Sequence, residues 1–116
     1  MTAMGEEDIR RLALALPEVV EMDHHGVPSF RVAGKIFCTL RSDPPRIMVK
    51  LHAEDRHNLC AGRPDALAPV PGYWGTKGST FVDLAKVDEA FVLSLLRLAY
   101  ANVAPKRLAG AIAQRS

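Results

Sequence analysis

Four histidines, His24, His25, His52 and His57, and two cysteines, Cys38 and Cys60, are the side chains of this chain best suited to acid–base, nucleophilic or metal chemistry. Histidine titrates near neutrality and lends a ring nitrogen to metals. Asp23 adjoins the first pair as a neighbouring carboxylate. The spacing argues against both uses. Successive residues of a strand point to opposite faces, so His24 and His25 converge on one ion only if a turn bends them together. Cys38 occupies an apolar position in an alternating segment, which predicts a buried, inert thiol. There is no Gly-Xaa-Ser-Xaa-Gly elbow, phosphate loop or dinucleotide fingerprint. The residues point to no catalytic centre, metal site or cofactor.

A second set of residues has a different chemistry. Arg31, Arg41, Lys50 and His52, with Phe37, fall on outward positions of alternating segments, and Trp74 and Lys77 lie in a loop rich in glycine and proline. Cations mixed with aromatic rings are what phosphate neutralisation and base stacking require. The candidate site for nucleic acid or another ligand is therefore His25, Arg31, Lys50, His52, Trp74 and Lys77, at a surface between the 23–31 turn and the 72–78 loop. No helix-turn-helix, zinc finger or RNA-recognition motif is legible. Trp74, the only tryptophan, also reads as a plug for the end of the core.

The loop itself is strongly marked. Pro69 and Pro71 fix their own φ and bias Ala68 and Val70 towards extended backbone. Gly72, Gly75 and Gly78 follow, and then the β-branched and aromatic run 79–83 reads as a strand.

The elements that must hold these residues follow from periodicity. Ile9, Leu12, Ala13 and Leu16 repeat at helical spacing and Pro17 ends the helix. Val19 to Met22 suggests a short strand, and 23–28 a turn. Residues 29–33 and 35–41 read as a hairpin about Ala33-Gly34. A strict two-residue turn would pair Val32 with Lys35 and put Arg31 on the face of Ile36, Cys38 and Leu40. An added bulge residue instead collects Phe30, Val32, Ile36, Cys38 and Leu40 on one apolar face, leaving Phe37 outward, and is the favoured register. Residues 46–52 form a third strand with Lys50 and His52 outward, and 53–61 a short helix. Ala66 to Val70 suggests an edge strand. Asp88 caps a long helix burying Phe91, Val92, Leu95, Leu96, Ala99 and Val103, and Pro105 separates it from a basic helix over 106–114. The expected class is α+β, a two-layer sandwich of antiparallel sheet with helices on one face.

Composition sets the bounds. At 116 residues, with 48% hydrophobic and 24% charged residues, the chain is expected to be one globular domain, 1–116. No apolar run reaches the roughly 20 residues of a membrane span, and the acidic N-terminus lacks a signal-peptide layout. Two cysteines without a framework fit reduced thiols, so the expected location is cytoplasmic. Net charge is only +2, but residues 1–23 hold two bases against six acids and residues 24–116 thirteen against seven. That asymmetry permits a basic surface on the body of the domain.

Several pieces occur together: Leu16-Pro17, Gly26-Val-Pro-Ser-Phe-Arg31, Gly34-Lys-Ile-Phe37, Ile47-Met-Val-Lys-Leu51, Pro71-Gly72, Trp74-Gly75 and Ala104-Pro-Lys-Arg107. In this order, over nearly the whole chain, they resemble the MmcQ/YjbR-like family, often labelled DNA-binding proteins. The resemblance implies a fold like that of type III secretion chaperones, α-β(3)-α-β(2)-α, and leaves the activity open. The expected function is non-catalytic nucleic-acid binding. The alternative is a protein-interaction or adaptor module, with DNA or a protein as partner and a monomer or homodimer as the unit.

Overall fold

The computed structural model describes residues 4–42, 45–72 and 78–113. Among these, six strands form one antiparallel sheet: β1 (Val20–His24), β2 (Val27–Val32), β3 (Lys35–Arg41), β4 (Arg46–Lys50), β5 (Leu67–Pro69) and β6 (Ser79–Asp83), in the order β1-β2-β3-β4-β6-β5. The helices are α1 (Glu6–Leu14), α2 (Ala53–Gly62), α3 (Glu89–Val103) and α4 (Lys106–Ala113), with a 3-10 turn at Leu84–Lys86. This is the α+β arrangement expected, with one more strand before α2 than in α-β(3)-α-β(2)-α. The extra strand arises because the segment after Val19 continues to His24, so the 23–28 turn shrinks to His25 and Gly26.

Cross-strand register sorts the sheet into two faces. Phe30, Cys38, Val49 and Thr80 form one row, and Leu40, Ile47, Val82 and Leu67 the next. All are buried, beneath a helical layer that contributes Ile9, Leu12, Leu95, Leu96, Ala99 and Tyr100. Asp88 accepts a hydrogen bond from the Phe91 amide at 2.9 Å, capping α3 as its sequence position indicates. The Tyr100 hydroxyl donates to the Pro17 carbonyl at 2.7 Å, tying α3 to the end of the first helical segment. The opposite face carries the rows Met22, Ser29, Thr39, Met48, Phe81 and Arg41, Arg46, Asp83.

The β2–β3 hairpin combines the two registers that the sequence poses as alternatives. Its turn is the tight one, with Val32 opposite Lys35 and positive φ at both Ala33 (52°) and Gly34 (78°). The extra residue lies further along. Phe30 pairs with Cys38 but Arg31 pairs with Ile36, so β3 bulges by one residue at Phe37. This reverses the expected placement of two side chains. Phe37 turns inward, fully buried, and meets the Tyr100 ring edge to face at a centroid distance of 5.6 Å. Ile36 turns to the other face. Phe37 is therefore a core residue and no part of an outward aromatic surface.

Candidate functional site

The face of the sheet opposite the core carries a concavity of about 470 Å³. Its wall joins the tip of the β1–β2 hairpin, through His24, His25 and Val27, to the far side of the sheet at Val70 and Ser79. The hairpin tip reaches inward on a two-residue turn, His25 at φ 53° and Gly26 at φ 85°, closed by the His24 to Val27 pair. That turn bends the neighbouring histidines together, rings edge to face with centroids 4.5 Å apart. Among the described residues no three histidine, cysteine or acidic side chains converge as a metal site.

Ile36, Thr39, Arg41, Met48, Lys50 and Phe81 form the body of the concavity. Two features of the lining matter chemically. First, its charged members are cations, and no acidic residue lines it among the described residues. Three arginines of the helical layer are paired, Arg10 with Glu7 and Glu21, Arg11 with Asp8 and Glu89, and Arg107 with Glu18, whereas Arg56 and Arg97 have no ion pair among the described residues. Among the described residues no such pair engages Arg31, Arg41 or Lys50. Second, Thr39 and Ser79 are fully buried, and their hydroxyls and Nε of Arg41 are three of the five buried side-chain atoms without a hydrogen-bond partner among the described residues, the others being Nη1 of Arg56 and Nε of Arg97. A buried polar atom left unbonded is costly, so such atoms are rare and call for an explanation.

The six residues chosen from the sequence are distributed unevenly. His25 and Lys50 line the concavity. Arg31 stands on the same face beside it, its Nε donating to the Ser29 hydroxyl at 3.1 Å. His52 is elsewhere: β4 ends at Lys50, and His52 becomes the exposed residue preceding α2, its carbonyl accepting from the Arg56 amide. Trp74 and Lys77 lie outside the described residues. The surface expected between the hairpin turn and the glycine-rich loop depends on residues 73–77, which lie outside the described residues.

Sequence reasoning passed over Thr39, Ser79, Met48 and Phe81. Alternation marks Thr39 and Met48 as outward, but nothing local shows that an outward threonine is buried. The cysteines offer no alternative centre. Cys38 is fully enclosed, and burial pushes its thiol far above the ordinary range, so no thiolate is available for attack.

With this geometry established, comparison with known proteins gives the lineage. The YjbR family model matches residues 14–102. The chain belongs to the YjbR family. Among solved structures, this YjbR chain is similar to Deinococcus radiodurans protein DR2400, which carries a DUF419 domain. The TM-score is 0.73 at 21% identity, covering 92% of this chain and 86% of that one. At that identity the likeness speaks for the fold alone. No curated protein matches the chain. No described helix of this YjbR domain is long and apolar enough to cross a membrane.

Proposed function

We propose that this YjbR chain is a non-catalytic module that binds nucleic acid on the helix-free face of its sheet. The observation that carries the reading is that Arg31, Arg41 and Lys50 stand on that face with no ion-pair partner among the described residues. Arg41 and Lys50 line the concavity together with a ring, Phe81, over which the Arg46 guanidinium is placed 5.3 Å from the centroid. A cationic groove with stacking surfaces is the physical requirement for holding a nucleic-acid strand.

The test is fluorescence anisotropy of the full chain with labelled single-stranded DNA, duplex DNA and RNA over a range of salt. Three phosphate contacts predict a slope of log affinity on log salt of about −2 for a single strand. Lys50→Gln and Arg41→Gln should each reduce its magnitude by about 0.7. Absence of saturable binding to any of the three at low salt would end the reading.

A second reading, a protein-interaction module, has one observation in its favour. β1 is an edge strand, and its Val20 and Met22 are about half exposed, at 52% and 51%. An open edge with apolar side chains is a template for strand addition. On that reading the chain self-associates, and Val20→Lys shifts it to monomer in light scattering. A wild-type chain monomeric at the highest accessible concentration would remove self-pairing.

A further inference from the structure

We propose that the concavity is a pocket for one unstacked nucleotide, its base held at the Thr39 and Arg41 end and its phosphate at the Lys50 and Ser79 end. The identity of the ligand rests on the nucleic-acid reading above; the shape of the site does not.

The two ends differ in chemistry. Lys50 and Ser79 are directly paired across β4 and β6, so a charged amine and a buried hydroxyl stand side by side. His25, from the hairpin tip, lies at the other end, level with Arg41 in the strand register. An ammonium beside a hydroxyl suits an anion with several acceptor oxygens. Thr39 lies two strands from β6 and level with Phe81, two residues along from Ser79, so Thr39 and Ser79 are about 12 Å apart at the usual strand spacing and rise. At that end Arg41, two residues along the same strand, contributes its unbonded Nε. Met48 and Phe81 share the row of Thr39 and supply apolar and aromatic surface. A planar ring with acceptors on its edge fits there, because arginine donates well to keto and ring-nitrogen acceptors of bases.

A nucleoside monophosphate is an object of about that length with those two ends. The volume is within the usual range for small-molecule pockets, about 300–1,000 Å³.

The buried hydroxyls separate this proposal from plain attraction to a basic face. A duplex keeps its base edges paired and stacked, so it can reach the cations at the rim and leaves Thr39 and Ser79 unbonded. Reaching them requires a base already out of its stack. The pocket should therefore favour single strands, or free nucleotides, over duplex.

The experiment compares a 12-nucleotide single strand with its duplex by anisotropy, and guanosine monophosphate with guanosine and inorganic phosphate by amide NMR shifts. Wild type, Thr39→Val, Ser79→Ala and Lys50→Gln are used. Thr39→Val keeps the shape and removes an unbonded hydroxyl, so its melting midpoint should stay level or rise. The expected result is single strand at least about tenfold tighter than duplex. The hydroxyl variants should lose about tenfold for single strand with duplex unchanged, and the monophosphate should shift the amides of residues 39 and 79.

Shifts from the monophosphate without binding of any strand would support the pocket while ending the nucleic-acid reading. Equal affinity for duplex and single strand, unaltered by the hydroxyl variants, would overturn the pocket and leave that reading standing. Inorganic phosphate reproducing all the monophosphate shifts would overturn the base end. No response to strands or nucleotides would overturn both.

Discussion

Phe37→Ala should lower the unfolding free energy by about 3–5 kcal/mol, while Ile36→Ala, one residue earlier, should cost well under half of that. Phe37 is fully buried and packs edge to face on Tyr100, so truncation opens a cavity at the junction of sheet and α3 and also forfeits a ring contact. Ile36 is only partly buried, on the open face, where water fills the vacated volume. For a domain of this size the total stability is about 5–15 kcal/mol, so the first loss is a large share of it. Urea unfolding of the two variants measures the difference. Equal costs, or a larger cost at Ile36, would mean that β3 does not bulge and that the apolar alternation runs unbroken.

That pair of residues also shows where the sequence stops being informative. Period-two alternation is a local rule, and it places every element correctly in kind because the amphipathic patterns are strong: Ile9 to Leu16, the 46–50 strand, and the apolar side of α3. It fails at a bulge because one inserted residue reverses the faces on one side of it. The pattern contains apolar residues at both 36 and 37, so neither assignment is penalised locally. Tyr100, sixty-three residues away, decides between them by offering a partner ring. His52 fails for a related reason: strand and helix signals overlap at the boundary, and the helix takes it.

The site was half legible for a physical reason as well. Lys50 and His25 announce themselves by charge and by a turn signal. Thr39 and Ser79 have ordinary types in ordinary positions, and their interest comes only from being buried without partners among the described residues, a property of the tertiary structure.

Charge segregation accounts for the cationic lining of the concavity although the net charge is small. The acids of the first 23 residues are largely engaged in the helical layer: Glu7 and Glu21 on Arg10, Asp8 on Arg11, and Glu18 on Arg107. The Arg107 guanidinium holds the Glu18 carboxyl below its ordinary range. The Gly5 amide does the same for Asp8, with Arg11 adding to it. These pairs are exposed and worth little in stability. Their effect is spatial, since a carboxylate fixed to the helical layer cannot fold over to neutralise Arg41 or Lys50.

Gly78→Ala is the other change with a large expected cost, about 3–5 kcal/mol, and it should damage the site as well as the fold. Gly78 has φ 93°, where a side chain is strained, and its missing Cβ points at the Leu51 backbone. An added methyl would overlap the Leu51 carbonyl oxygen, which cannot move aside as a flexible side chain would. The same two residues are joined by the Leu51 amide donating to the Gly78 carbonyl at 3.0 Å. Strain at positive φ contributes about 1–3 kcal/mol and overpacking a similar amount. Gly34→Ala is the control, because Gly34 has a comparable φ of 78° but open space around it, so only the conformational cost applies. Were the two substitutions equally costly, the close approach of β4 and β6 at this point would be wrong. If Gly78→Ala is the worse, relief of the overlap must part Leu51 from Gly78, and the neighbouring pair Lys50 and Ser79 separates with them. Ligand affinity should then fall further in Gly78→Ala than in Ser79→Ala, since the amine and the hydroxyl are displaced together.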